Sequence, residues 1–597
     1  MGPVGLGHCL LATTPESVGE QQPIGDEESG CWLVADARLD NRDDLVAALE
    51  QARLPLRWGT DAELILRAYQ LWGEAAPEKL LGDFAFALWD ERRQRLFAAR
   101  DPLGVKPFYY HLDNRRFLFA SALKALFAST SLRRRPNELM IGLYLADDFS
   151  EKEQTLYADV FRLPGAHRMT LAGGQRKGDR YWRPAWDKPI RYARDEDYAE
   201  HFREIFACAV ECRLRSPQPV GAFLSGGLDS GSVVSMTQHL YEKNGQSKAL
   251  EAFSGYFLDP PCDEREYTEE HTRRWPIRVN YYLLDGIGAA TYAEEMTEQF
   301  EGIHEATLFT YWVLAEKARE KGIRVILTGT GGDDFYSGNP YVFSDLLRRG
   351  RLQDVYVQIN QLAQTLSLDR RGLWLYYTLL PLLPDPIRGL LRRLRWQFRG
   401  RYPRWIAPDF AQRIHLTEHL GADRRGLPKI EQARRYTYQT LNADCWTFTM
   451  EELNALAAAK QIEFRCPFAD PRLVDFALRI PGGQFLRGDF TKWTLRLALK
   501  GILPEPIRLR KKKTRFDEVV EKELRESDLA GTLDRLELVT EGFVDAEELK
   551  RFYAQVCCGG TGHTVLFYTI LSLNTWYKMW CRDQNPSLTQ GSGGMDD

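Results

Sequence analysis

The chain has 597 residues, which corresponds to about two to four domains. Its 79 Lys and Arg against 83 Asp and Glu give a net charge of −4, which argues against a general nucleic-acid binder. Hydrophobic residues make up 44%, and the ten cysteines include no CxxC pair, which argues against a disulfide scaffold or a zinc ribbon. No secretory signal and no apolar run of ~20 residues is present, so we expect a cytoplasmic protein.

The amino-terminal part of the chain predicts a β-rich domain of residues 1–185. Short apolar runs separated by turn residues are typical of strands. The predicted strands are residues 31–35, 84–89, 95–99, 117–120, 155–162 and 167–171. Residues 61–71 have helical spacing, and a polar stretch with prolines at 183–197 predicts a linker.

The remainder, residues 186–597, predicts an α/β domain. Apolar runs at 220–224, 251–257 and 325–327 alternate with helical patterns, which indicates a parallel sheet. Beyond Phe343 the pattern is mostly helical, with an arginine-rich helical insert at about 345–430.

The most informative segment is Ser225-Gly-Gly-Leu-Asp-Ser230, which lies between a predicted strand and a predicted helix. Glycines allow a close backbone approach, and the N–H groups at a helix amino terminus bind phosphate. The carboxylate of Asp229 would repel a bare phosphate, so a Mg²⁺ ion between the two is expected. A tight turn without a ligand is the alternative. The candidate phosphate-binding residues here are Leu224, Ser225, Gly226, Gly227, Asp229 and Ser230.

A second glycine-rich turn, Gly329-Thr-Gly-Gly-Asp-Asp334, follows another predicted strand. Gly329 and Gly331 are candidate ATP-binding residues, and Asp333 is a candidate second Mg²⁺ ligand. Two such turns are typical of a Mg–ATP cleft at the carboxyl edge of a parallel sheet.

The first turn resembles the pyrophosphate loop of the ATP-pyrophosphatase family, and further motifs resemble glutamine-dependent asparagine synthetases along nearly the whole chain. The matching segments are residues 80–90, 99–110, 161–167, 464–476, 486–496 and 510–516. The resemblance implies an α+β amino-terminal domain, a glutaminase-like (Ntn-type) β-rich sandwich. It also implies an α/β ATP-pyrophosphatase domain (adenine nucleotide α-hydrolase-like) with a helical carboxyl-terminal part. The implied cofactors are ATP and Mg²⁺.

The same resemblance assigns roles to three lysines. Lys492 matches a family lysine near the α-phosphate, where it would stabilise the charge that develops during adenylation. Lys512 and Lys513 are expected to face phosphates, although a run of lysines is usually a solvated surface.

Two departures from asparagine synthetases are informative. Their glutaminase uses a cysteine directly after the initiator methionine, where this sequence has Gly2; Cys9 is internal and has no free α-amine. We therefore expect a glutaminase fold that releases no ammonia. In addition, Thr330 stands where those enzymes carry a glutamate, which indicates a changed acceptor site.

Within this superfamily, the arginine-rich insert resembles the extra helical segment of lasso-peptide cyclases. That resemblance implies an AMP-forming ligase that adenylates an Asp or Glu side chain of a leader-free core peptide. The peptide's α-amine then closes a macrolactam. A leader-peptide protease and a leader-binding protein are the implied partners, and nucleic acid is not expected. Glu301, His304 and Glu305 are the candidate general bases.

Alternatives remain open at this point. One is an ammonia-dependent asparagine synthetase or another small-molecule amide or β-lactam-type synthetase, and another is an inactive scaffold. The arginine cluster is either a solvated helix or a surface that docks the peptide, the protease or an anionic membrane. It comprises Arg388, Arg392, Arg393, Arg395, Arg399, Arg401 and Arg404, interleaved with Trp396, Phe398, Tyr402 and Trp405.

Overall fold

The structure is a computed structural model. It describes residues 4–129, 132–258, 262–366, 368–421, 430–442, 445–514, 516–527, 529–558 and 563–581. The side chains at 392, 393, 395–399, 442 and 517 lie outside the described set.

The amino-terminal part contains two antiparallel sheets, in the orders β1-β2-β3-β4-β8-β9 and β6-β5-β7. Its strands are β1 (Ile24–Asp26), β2 (Cys31–Leu39), β3 (Gly82–Asp90), β4 (Arg95–Arg100), β5 (Tyr109–Leu112), β6 (Phe117–Ala120), β7 (Phe161–Arg162), β8 (His167–Ala172) and β9 (Gln175–Arg180). Its helices are α1 (Arg42–Gln51), α2 (Asp61–Trp72), α3 (Leu123–Phe127) and α4 (Glu138–Leu145).

The central strand β3 shows why these layers form. All nine of its residues are buried. Side chains alternate along a strand, so Phe86 packs with the helices α1 and α2 while Ala87 faces the smaller sheet, near Phe108 and Tyr110. The six-stranded sheet is therefore covered on both faces.

The second part is built on a five-stranded sheet and many helices. Its strands are β10 (Val220–Phe223), β11 (Leu250–Tyr256), β12 (Ile277–Leu283), β13 (Val325–Leu327), β14 (Glu463–Arg465), β15 (Leu486–Arg487) and β16 (Phe490–Thr491). Its helices are α5 (Asp195–Arg213), α6 (Leu228–Lys243), α7 (Arg265–Arg274), α8 (Ala293–Phe300), α9 (Leu308–Glu320), α10 (Gly332–Tyr336), α11 (Val342–Arg348), α12 (Leu352–Leu366), α13 (Arg370–Gly372), α14 (Asp385–Arg399), α15 (Pro408–Arg413), α16 (Leu416–His419), α17 (Gln432–Asn442), α18 (Cys445–Lys460), α19 (Pro471–Arg479), α20 (Trp493–Ala498), α21 (Glu505–Arg508), α22 (Asp517–Glu526), α23 (Glu537–Thr540), α24 (Ala546–Cys557) and α25 (Thr564–Trp580).

The larger sheet of this part is parallel, in the order β12-β11-β10-β13-β14. The chain runs outward from β10 in one direction through β11 and β12, and in the other through β13 and β14. Strand order therefore reverses between β10 and β13. Ligands of such sheets bind outside the carboxyl ends of the strands at this reversal.

A buried ion network joins the two parts. The Arg213 guanidinium lies 3.0 Å from Asp470, and Arg38 lies 2.7 Å from Asp83 and 3.7 Å from Glu463. All five side chains are buried. Removing one partner of a buried pair leaves an uncompensated charge, so the network disfavours separation of the two parts.

None of the described helices is long and apolar enough to cross a lipid bilayer.

Candidate active site where the strand order reverses

The two glycine-rich turns follow β10 and β13, and they touch each other. A Cβ atom added at Gly332 would lie 2.4 Å from the Asp229 Cγ, and one at Gly329 would lie 2.6 Å from the Ser230 nitrogen. Both contacts are shorter than a Cβ atom tolerates, so only glycine permits this approach. The sequence thereby brings Asp229 against the second turn.

The packing at Gly332 leads to a first prediction. A Gly332→Ala variant is expected to displace the Asp229 carboxylate, whose Cγ and two oxygens are the three nearest atoms to the added methyl group. ATP turnover should fall by up to about 100-fold, as for a misplacement of ~1 Å. The measurement is AMP release. Gly531→Ala, where the methyl group would enter open space, is the matched control; equal rates for the two variants would contradict the expectation.

A cavity of about 620 Å³ lies over the two turns, within the range of ~300–1,000 Å³ usual for small-molecule sites. Most of the residues predicted from the sequence line it. These are Leu224, Ser225, Gly227, Asp229, Ser230, Glu305, Gly329, Thr330, Gly331, Asp333, Lys492, Lys512 and Lys513. Gly226, Glu301 and His304 are not among the lining residues.

The centre of the cavity is a cluster of two carboxylates and two ammonium groups. The Lys492 Nζ contacts Asp229 and lies 2.7 Å from Asp333, which Lys513 also contacts. Burial raises the pKa of Asp229, and Lys492 opposes that shift. At Asp333 burial acts in the same direction, but Lys492 and Lys513 outweigh it and hold the pKa well below its usual range. Asp333 is therefore ionised at neutral pH.

The same cluster fits a magnesium ion. The Oδ1 atom of Asp229 is buried and has no hydrogen-bond partner among the described residues. Asp333 supplies further carboxylate oxygens nearby, and carboxylate oxygen is the donor that Mg²⁺ prefers. A cationic group, the Lys492 ammonium, already lies between the two carboxylates. Asp229 and Asp333 are thus the residues that could hold Mg²⁺.

The first glycine-rich turn leads into the amino terminus of α6, which is suited to bind an anion. The cap residue of α6 is Gly227, which has no side chain that could accept a hydrogen bond from the first N–H groups of the helix. The hydroxyls of Ser225 and Ser230 lie 2.9 Å apart at the cavity wall. Uncapped N–H groups in the first turn of a helix, together with hydroxyl donors, suit phosphate oxygens.

Gly226 has a different role from the one the sequence suggested. Its N–H donates to Glu264 over 2.9 Å, and Arg510 joins the Gly226 carbonyl (2.7 Å) to the same carboxylate (2.9 Å). Gly226 therefore anchors the turn instead of facing the cavity. Neither Glu264, which no motif marks, nor Arg510, which begins the basic run that contains Lys512 and Lys513, was predicted as a site residue.

The three candidate general bases lie in different surroundings in the structure. Glu301 is buried, pairs with Arg134 at 2.8 Å and accepts a hydrogen bond from Tyr157 at 3.2 Å. Burial lowers the pKa of His304 to about 4, and its ring packs against Tyr568. Neither side chain reaches the cavity, so both are removed as candidate bases.

Glu305 is the candidate base that does line the cavity. Its backbone N–H donates to Glu452 over 2.6 Å, which fixes this segment. Burial, with a further contribution from the charge of Asp334, raises the pKa of Glu305. Thr330 lines the same cavity, and its hydroxyl accepts a hydrogen bond from Thr328 at 3.1 Å.

In the arginine-rich segment, two of the interleaved aromatic residues pack against the core. Trp405 belongs to the core: it stacks on Phe552 with ring centroids 4.1 Å apart and donates to the Leu145 carbonyl. Tyr402 also packs against the core. The side chains of Arg392, Arg393, Arg395, Trp396, Phe398 and Arg399 lie outside the described set.

This fold and this site define a class of protein. An amino-terminal two-sheet domain of the glutamine amidotransferase (Ntn) type is joined to an ATP-pyrophosphatase-type α/β domain. The second domain has glycine-rich turns, paired carboxylates and a lysine at the cleft. That combination is the architecture of ATP-dependent amidating ligases.

Comparisons with known proteins agree with this class. The family model described as asparagine synthase matches residues 201–578, and the glutamine amidotransferase domain model matches residues 1–182. The chain belongs to the asparagine synthase family.

Three relatives illustrate the range. Glutamine-hydrolyzing asparagine synthetase 3 of Bacillus subtilis is 26% identical over 523 residues, 85% of this chain and 79% of the relative. Glutamine-hydrolyzing asparagine synthetase 1 of the same organism is 24% identical over 606 residues, 96% of this chain and 90% of the relative. Amidase chry2 of Gibberella zeae is 28% identical over 351 residues, 56% of this chain and 51% of the relative.

Proposed function

We propose that the protein is an ATP-dependent macrolactam synthetase of the lasso-peptide cyclase type. A side-chain carboxylate oxygen of a linear peptide attacks the α-phosphorus of ATP, so pyrophosphate leaves and an acyl-adenylate forms. The peptide's α-amine then attacks the activated carbonyl, AMP leaves, and one proton is lost from the nitrogen. The product is a ring closed by an isopeptide bond.

The observation that carries the proposal is Thr330. It lines the cavity, and it stands at the position where the resemblance places a glutamate in asparagine synthetases. A threonine hydroxyl cannot act as a base at neutral pH, and it removes a charge that would face a small polar acceptor. The acceptor side is then better suited to an amine that belongs to the donor peptide itself. The insert at about 345–430, which resembles that of lasso cyclases, supports the same conclusion.

The residues of the first step are those around the two turns. Hydroxyls of Ser225 and Ser230 and the amino terminus of α6 bind the departing pyrophosphate. Lys492 stabilises charge on the α-phosphate as the new P–O bond forms. Asp229 and Asp333 would hold Mg²⁺, which when bound neutralises phosphate charge and orients ATP. Lys512 and Lys513 face the outer phosphates.

The second step depends on Glu305 and on positioning. Glu305 accepts the amine proton, and burial together with the charge of Asp334 raises its pKa. Holding amine and carbonyl together replaces an encounter of two molecules by an intramolecular step. The cleft must also exclude water, which would hydrolyse the adenylate.

The proposal includes partners. The substrate is a leader-free core peptide with a free α-amine and an internal Asp or Glu. A leader-peptide protease and a leader-binding protein would deliver it. No nucleic acid takes part.

Membership of the asparagine synthase family leaves open a second candidate, an ammonia-dependent asparagine synthetase or another small-molecule amide or β-lactam-type synthetase. The glutamine-hydrolyzing asparagine synthetases of Bacillus subtilis align with 85% and 96% of this chain. This candidate shares the ATP site and differs in the carboxylate that is activated and in the amine that attacks it.

One experiment separates the two candidates. The purified chain receives ATP and Mg²⁺ with aspartate and ammonia in one tube. A second tube contains leader-free linear peptides of varied acceptor position, with the partner proteins. AMP together with a peptide lighter by one water supports the cyclase, whereas AMP with asparagine replaces it by the second candidate. Asp229→Ala should release no AMP in either tube; AMP from that variant would contradict the assigned ATP site.

A further inference from the structure

Helix α14 is amphipathic, yet its described side chains are not buried. Ile387 is 45% exposed, Leu390 57%, Leu391 42% and Leu394 42%. None of the described residues of the helix, 385–391 and 394, is buried. An isolated helix of 15 residues is marginal in water, and helices of this length usually gain stability by covering their apolar stripe. The described part of the chain does not cover this one.

The sequence of the helix separates apolar from basic positions. Ile, Leu, Leu and Phe recur at 387, 391, 394 and 398, while arginines recur at 388, 392, 395 and 399. Both series advance by four, three and four residues, which keeps each on one stripe of a helix. Residues 385–405 contain seven arginines and one acidic residue in a chain whose net charge is −4.

Further exposed apolar side chains lie next to the helix in the sequence. The π-helical turn Leu373–Leu379 leaves Leu375 47% exposed, Tyr376 55% and Leu379 47%. Soluble proteins seldom expose many neighbouring large apolar side chains unless the surface binds something. The exposed stripe of α14 is here called the basic apolar face.

We propose that the basic apolar face docks on the surface of a lipid bilayer that contains anionic lipids. A helix with aliphatic residues on one stripe and arginines on the next lies in the membrane interface, its apolar side chains ~5–10 Å into the headgroup boundary. The guanidinium groups pair with lipid phosphates at the same depth. The charge of the segment, opposite in sign to that of the whole chain, selects an anionic surface. This inference does not depend on the proposed function.

Vesicle co-sedimentation with the full-length chain tests the proposal. The expected result is binding to vesicles of equal parts phosphatidylcholine and phosphatidylglycerol, and little binding to pure phosphatidylcholine. Each arginine near an anionic surface contributes about 1 kcal/mol, or about fivefold in partitioning. An Arg392→Gln/Arg395→Gln variant should therefore bind about 25-fold more weakly. High salt should weaken binding as well, because the Debye length falls from ~10 Å at 0.1 M to ~3 Å at 1 M.

Two further variants complete the test. Leu391→Ser/Leu394→Ser should lose most of the binding without change in thermal stability, since both side chains are exposed. Arg115→Gln/Arg116→Gln removes the same charge from an exposed hairpin and should bind like the parent protein. Equal vesicle binding by all variants would overturn the proposal. So would a lipid-free dimer that Leu391→Ser/Leu394→Ser dissociates, since a second copy would then cover the face.

Discussion

An Asp229→Asn variant is expected to lose about 10³-fold in the rate of AMP formation while it remains folded. Asp229 contacts the Lys492 ammonium, and its Oδ1 is buried without a hydrogen-bond partner among the described residues. The amide keeps the shape and removes the charge, so packing against Gly332 is retained. The measurement is ATP–pyrophosphate exchange, which reports adenylation alone.

Lys492→Met is the complementary change, and it should cause a loss of similar size. Its side chain is buried between Asp229 and Asp333, and without the ammonium the two carboxylates face each other. Lys500→Met makes the same substitution at an exposed position and should exchange pyrophosphate normally. Exchange at the parental rate in either active-site variant would show that this cluster does not serve the phosphates.

Many of the strands could be predicted because their patterns are local. Residues 117–120 and 325–327 form strands with the predicted limits, as β6 and β13. The predicted strand at 155–162 is wrong over most of its length: Phe161–Arg162 forms a strand with β5, and Tyr157 makes only an isolated bridge to Pro136. The patterns in the sequence did not reveal β1, β5, β9, β12, β14, β15 or β16. β14, a three-residue strand, owes its place to pairing with β13, which the local pattern does not encode.

The candidate site could likewise be predicted only where its residues belong to local motifs. The phosphate turns are contiguous motifs, so Asp229 and Asp333 could be selected from the sequence, and the structure places both beside Lys492. Contacts between residues that lie far apart in the sequence could not be predicted from local motifs. The carboxylate that accepts a hydrogen bond from the Gly226 N–H belongs to Glu264, 38 residues along the chain. Likewise, no spacing rule separates Glu301, which faces Arg134, from Glu305, which faces the cavity.

Glu305→Gln is expected to uncouple the two half-reactions. Adenylation should continue, because Glu305 is not among the groups that contact the Lys492 cluster. Amide formation should fall by about 10²–10⁴-fold, the usual contribution of a general base. The adenylate then reacts with water, so the number of AMP molecules released per product molecule rises. That ratio, from AMP assay and mass spectrometry of the same sample, is the measurement.

The pH dependence of amide formation tests the role of Glu305 independently. Only the ionised carboxylate accepts a proton, and burial together with the charge of Asp334 raises the pKa of Glu305 above that of an ordinary glutamate. Amide formation by the parent protein should therefore increase with pH through a range above that of ordinary carboxylates, and Glu305→Gln should lack this increase. Glu301→Gln is the control: it breaks the pair between the buried Glu301 carboxylate and Arg134 and should lower thermal stability, while the number of AMP molecules per product molecule stays parental. If Glu305→Gln kept both the ratio and the rise with pH, the proton acceptor would have to be another group, and the acceptor half of the cavity would need a new assignment.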